Sequence, residues 1–329
     1  MRNKVLFFLK ALVSFALIWY LLSKTEFAAI YASLTSANPF WLFLSLLTLY
    51  IGKVLTSYRW QRLLLAQGIH IPLRKLIASV FVGQFFNSFL PTTVGGDAMR
   101  AYDTASQSKE SMKSVMSVFS DRLIGVFALA LLAVIALIIG LISGEDVSFL
   151  ILPVIIVFVI CSFGVGLIFN DRLVLMVEAI LKRIKLTKIA TKIRKAYASL
   201  AILKDNKRVL IIAFVISLAL QINVVLFYYF IGVSLDLGVS ILYFFMIVPI
   251  ALVILLLPFS INGIGLREGV FVFLLTDLGV SSQDAIALSV LSFLLSLTQS
   301  ILGGIIFALR GINLRHADEE PSTSEGPPS

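Results

Sequence analysis

"LPTTVGGDAMRAY", Leu90 to Tyr102, breaks an apolar run with a proline, two glycines, an aspartate and an arginine. A second stretch, "LPFSINGIGLREGVF" from Leu257 to Phe271, repeats the pattern. Each carries glycine five residues after its proline (Gly96 after Pro91, Gly263 after Pro258) and arginine nine residues after it (Arg100, Arg267). Proline kinks or breaks a helix, because it lacks an N–H and its ring meets the preceding turn. Glycine then permits a tight reversal. Both stretches therefore read as an apolar helix that stops, turns and resumes with charge.

The surrounding chain sets the solvent. Of its 329 residues, 59% are hydrophobic and 14% charged, and the mean hydropathy is +1.02. Soluble domains carry roughly 25% charged residues, so this is an all-α integral membrane protein. Apolar spans are expected at about 5–23, 40–57, 116–142, 149–169, 209–231 and 285–309. Shorter apolar stretches at 76–90 and 239–257 lead into the two motifs. The first span, with Arg2 and Lys4 ahead of it and Lys10 inside it, is expected to be retained rather than cleaved. Residues 1–310 make the membrane domain, and the Pro-, Ser- and Glu-rich 311–329 is expected to be a disordered tail.

Charge orients the spans. Segment 170–208 holds eleven Lys/Arg and three acids, and positive loops stay cytoplasmic. With both termini on the cytoplasmic side of a cell membrane, that loop faces the cytoplasm only if 76–103 enters and leaves on one side. The same logic makes 239–278 a hairpin from the opposite face. About six full spans plus two oppositely oriented re-entrant hairpins form an inverted repeat, an arrangement that in transporters marks the binding site. Irregular backbone at that depth must line a cavity or be buried in protein. The basic stretch 172–205 has helical apolar spacing and is expected to lie on anionic lipid. Nucleic-acid binding is not expected.

Several residues are candidates for substrate contact. Arg100 and Arg267 have the geometry to hold a phosphate, and a resumed helix offers N–H groups and a positive dipole end. Asp97 suits a helix N-cap as well as a partner for Arg100. Glu268 has no comparable capping role in this reading and is assigned to ion pairing or proton coupling. Gln84 and Asn87 lie three apart on one helix face, before the first motif. Gly95, Gly96, Gly263 and Gly265 supply turns, Asn262 tolerates a left-handed conformation, and Pro91 and Pro258 are the hinges. Asp121 and Arg122 read as an adjacent pair at an interface, and Lys53 as a snorkelling residue. Cys161 is the sole cysteine, and only His70 and His316 are present, so neither a metal site nor a cofactor is expected. No G-x-x-x-x-G-K-[ST] motif for ATP occurs.

"YRWQRLLLAQGI" (58–69), "GQFFNSFLPTTVGGDAMRAY" (83–102), "SVFSDRLIGVFAL" (117–129) and "LPFSINGIGLREGVFVFLLTDLGVS" (257–281) together resemble the lysylphosphatidylglycerol synthase transmembrane family. This flippase-like domain is fused in some members to a soluble aminoacyl-transferase. The resemblance implies handling of polar lipids, of the aminoacyl-phosphatidylglycerol or polyprenyl-linked glycolipid type. It also points to Gly95, Gly96, Asp97, Arg100, Gly263, Gly265, Arg267 and Glu268. Only about twenty polar residues follow the last span, so lysyl transfer is not expected of this sequence. The leading expectation is a flippase or scramblase that takes anionic membrane lipids as partners. The alternatives are an integral-membrane headgroup transferase, with Asp97 or Glu268 as base, and a scaffold for a separate lipid-modifying enzyme or glycosyltransferase.

Overall fold

The computed structural model describes residues 27–89, 95–144, 148–169, 171–183, 197, 206–255 and 265–319. The expected first span, both motif turns with Pro91, Pro258, Asn262 and Gly263, and the basic segment beyond Arg183 except Tyr197 lie outside these. Helices follow in chain order: α1 Phe27–Ser36, α2 Pro39–Ala66, α3 Leu73–Phe89, α4 Gly95–Ser108, α5 Ser111–Ile142, α6 Ser148–Phe169, α7 Asp171–Arg183, α8 Lys207–Ser234, α9 Ile241–Leu255, α10 Leu266–Thr276 and α11 Ser282–Glu319. No strand occurs among the described residues. Among the described residues four helices, α2, α5, α8 and α11, are long and apolar enough to cross a membrane. The chain is a multi-pass, all-α membrane protein. The last helix continues to Glu319, into the stretch expected as tail.

Local signals account for the boundaries. Asn38 caps α2 by accepting from the Phe40 amide at 3.0 Å, with Pro39 at the first position. Gly265 precedes α10 at φ 82°, a left-handed conformation that costs glycine nothing.

α2 and α8 are the central pair, and they run antiparallel. Ser45 donates to the Phe227 carbonyl at 3.0 Å, Asn223 to the Thr48 carbonyl at 2.9 Å, and Arg59 to Ser217 Oγ at 2.7 Å. α3 and α11 also run antiparallel, since Ser88 meets Ser300 at 2.6 Å and Arg310 reaches the Lys75 carbonyl at 3.4 Å. Lipid is as apolar as leucine, so such pairs depend on close packing and polar contacts rather than on the hydrophobic effect. Gly303 provides the closeness, because a Cβ there would collide with the Phe81 carbonyl.

The pairings survive an exchange of halves. Swapping α2 with α8, α3 with α9, α4 with α10 and α5 with α11 maps α3–α11 onto α9–α5 and α4–α5 onto α10–α11. It also maps α2–α3 onto α8–α9 and α2–α5 onto α8–α11. The exchange swaps α2 with α8, which run antiparallel to each other.

Candidate functional site

Five charged side chains from three helices join where α4 leaves the first motif and crosses α5. Asp121, 1% exposed, accepts from Arg59 Nε at 2.7 Å and from Arg100 Nη2 at 2.9 Å. Arg100 Nη1 reaches Asp97 Oδ1 at 3.4 Å, and the other oxygen of Asp97 accepts from Arg122 Nε at 2.6 Å. The signs alternate along the chain Arg59–Asp121–Arg100–Asp97–Arg122. Burying a carboxylate is costly unless it is paired and hydrogen-bonded, and two guanidiniums satisfy Asp121.

Arg100 is held from other directions too. Its guanidinium lies over the Trp60 ring at 4.2 Å, and Trp60 is anchored by its Nε1 donating to Ser117 Oγ at 3.0 Å. Arg100 Nε is buried without a protein hydrogen-bond partner. Helix α4 approaches α3 closely at Gly96, whose N–H donates to Asn87 Oδ1 at 2.8 Å. A Cβ on Gly96 would collide with the Gly83 carbonyl.

Two cavities flank this network. One, of about 400 Å³, is lined by Lys53, Gln84, Asn87, Asp97 and Arg100, together with Thr56, Arg59, Asp121 and Arg122. The other, of about 440 Å³, shares those last four residues and extends past Gln221 and Tyr228 to Arg267. Their combined charged lining is Lys53, Arg59, Arg100, Arg122 and Arg267 against Asp97 and Asp121, five positive and two negative. Such a site favours an anion. No group of three or more metal-ligating side chains occurs among the described residues.

The structure brings Asp97, Arg100, Gln84 and Asn87 into one cavity and Arg267 into its neighbour. Gly95 opens α4. Three expectations change. Glu268 does cap a helix: its Oε2 accepts from the Gly265 N–H at 2.6 Å and its Oε1 from Ser289 Oγ at 3.1 Å. Asp97 lies in the first turn of α4 and Glu268 in the first turn of α10. Asp121 and Arg122, expected to pair locally, turn to different partners. Lys53 does more than snorkel, donating to Gln84 Oε1 at 2.7 Å inside the cavity.

Arg59 is the residue the sequence reading missed. It is 6% exposed and sits in "YRWQRLL" as one of two arginines at an apparent helix end. Its partner Asp121 lies 62 residues away. The available signal was that both are ionisable groups on membrane helices, which calls for a partner by default.

Residues 7–303 match the lysylphosphatidylglycerol synthase TM region. The chain is also 25% identical over 282 residues to a "UPF0104 membrane protein" of Methanothermobacter thermautotrophicus, covering 80% of this chain and 83% of that protein. The match takes in both motifs and every charged residue of the two cavities, and the chain belongs to the lysylphosphatidylglycerol synthase transmembrane-region family.

Proposed function

We propose that the protein is a lipid flippase or scramblase that moves a phosphate-bearing polar lipid across a cell membrane. The observation that carries this reading is the pair of adjoining cavities with a net cationic lining, one touching each motif arm. In the proposal the two motifs are re-entrant hairpins entering from opposite faces. The headgroup phosphate passes from one cavity to the other while the acyl chains stay in the bilayer.

The residues divide the work. Arg59, Arg100 and Asp121 are locked together and act as the positioning frame. Lys53, Arg122 and Arg267 are the cavity-lining cations that meet the phosphate, with Arg100 Nε as an added donor. Arg122 is half-exposed, and Arg267 lies 5.9 Å from the Phe293 ring. A guanidinium can give a phosphate two parallel hydrogen bonds. Movement in this scheme runs downhill or with an ion gradient.

The experiment is reconstitution in proteoliposomes with a fluorescent phosphatidylglycerol, scored by quencher access to the outer leaflet. Arg122→Ala and Arg267→Ala are each expected to slow flipping at least about tenfold, the loss of one charge-assisted contact. Wild-type rates in both inserted variants would contradict the proposal.

A further inference from the structure

A third cavity lies between α4 and α5 and differs in character. It measures about 470 Å³ and is lined largely by apolar side chains, among them Ala98, Ala101, Tyr102, Ala105, Val115 and Phe119. Its charged lining residues are Asp97 and Arg122, and both also line the cationic cavity beside Lys53 and Gln84. The groove and the polar cavity therefore meet at one ion pair, 2.6 Å long, whose Arg122 side chain is 47% exposed. Tyr102 and Phe119 stand 67% and 51% exposed at the groove.

Resting on the flippase reading above, we infer that the α4–α5 groove seats a hydrocarbon chain of the transported lipid and is the lateral portal through which its headgroup enters. The occupant follows from the two linings. An amphiphile with its phosphate among Lys53, Arg100 and Arg122 has to place its chain in an adjoining apolar space, and the groove is continuous with that cavity. The alanines at 98, 101 and 105 recur at helical spacing on α4, so this face leaves room that larger side chains would fill. The Asp97–Arg122 pair closes the seam. An incoming phosphate competes with the Asp97 carboxylate for the Arg122 guanidinium, and Arg122, half in solvent, is the partner free to swing. Exchanging one anion for another keeps the guanidinium paired throughout, so the passage avoids an uncompensated charge.

Photo-crosslinking separates this inference from the reading beneath it. The full-length protein is reconstituted in phosphatidylcholine vesicles with either of two phosphatidylglycerol probes, one with a diazirine at the chain end and one with a diazirine on the headgroup. The headgroup probe is expected to label α2 and α3 around Lys53 and Gln84, and the chain probe to label α4 and α5 around Ala101 and Phe119. Ala105→Trp, which fills the groove, should cut chain-probe labelling there at least about tenfold while headgroup labelling persists at that cavity. Ala105→Leu should give a smaller loss. Ile211→Trp, on the exposed face of α8, should change neither. Headgroup labelling of the cavity with chain labelling elsewhere, for example beside Leu252 in the neighbouring cavity, overturns the portal and leaves the flippase reading standing. Failure of the headgroup probe to label the cavity in wild type overturns both.

Discussion

Asp121 balances two guanidiniums with one carboxylate, and that makes it the residue whose loss is most costly. Neutralising it leaves Arg59 and Arg100 buried and facing one another. Breaking a buried pair by removing one partner costs about 3–5 kcal/mol, so Asp121→Ala should lower the unfolding temperature in detergent sharply, and Asp121→Asn somewhat less. An unchanged unfolding temperature would show that the network is not structural. Glu268 makes a milder case. Its carboxylate caps α10, so Glu268→Ala should cost about 1 kcal/mol. If Glu268 coupled protons instead, Glu268→Gln would abolish any response of lipid movement to a pH gradient while leaving stability intact. Residue chemistry was partly legible in the sequence. Asp97, Arg100, Gln84 and Asn87 stood beside the first motif and do line one cavity. Arg59 and Asp121 were not legible as partners, because 62 residues separate them and no local periodicity records which helices touch.

At the scale of elements, closeness between helices governs packing. Gly303 on α11 faces the Phe81 carbonyl of α3, and Phe85 Cβ lies 3.2 Å from where its own Cβ would stand. Gly303→Ala has to push two helices apart, and overpacking of this kind costs about 1–3 kcal/mol. Gly269 on α10 has nothing within 4 Å of an added Cβ, and Gly269→Ala should be neutral or slightly stabilising, since alanine is the better helix former. Thermal unfolding of the two variants side by side checks the contrast; equal stability would mean that the α3–α11 contact is looser than described. Apolar length marked four of the six expected spans, those of α2, α5, α8 and α11, because a bilayer demands about 20 apolar residues of any helix that crosses it. It did not show that Glu268 caps α10 by accepting from the Gly265 N–H. Helix starts depend on capping, which residue spacing alone does not show.

For the whole molecule, the exchange of α2–α5 with α8–α11 relates two halves whose shared helices run antiparallel. The orientation proposed for this arrangement is testable with single cysteines in a Cys161→Ala background. Ser108→Cys, at the end of α4, should react with a membrane-impermeant maleimide from the cytoplasm, and Ser148→Cys and Ser282→Cys, which begin α6 and α11, from outside. Reaction of Ser108→Cys from outside would mean that the first motif crosses the membrane, and the re-entrant arrangement would fall. The central claim concerns movement of lipid, and the most direct measurement is made on the wild-type protein alone. Purified protein is reconstituted in vesicles containing a trace of fluorescent phosphatidylglycerol or fluorescent phosphatidylcholine, and the fraction of probe reached by an impermeant quencher is followed over time. Protein-dependent movement is expected, faster for the anionic phosphatidylglycerol, as two adjoining cavities lined together by five cations and two carboxylates require. No protein-dependent movement of either lipid, with or without a pH gradient, would contradict it.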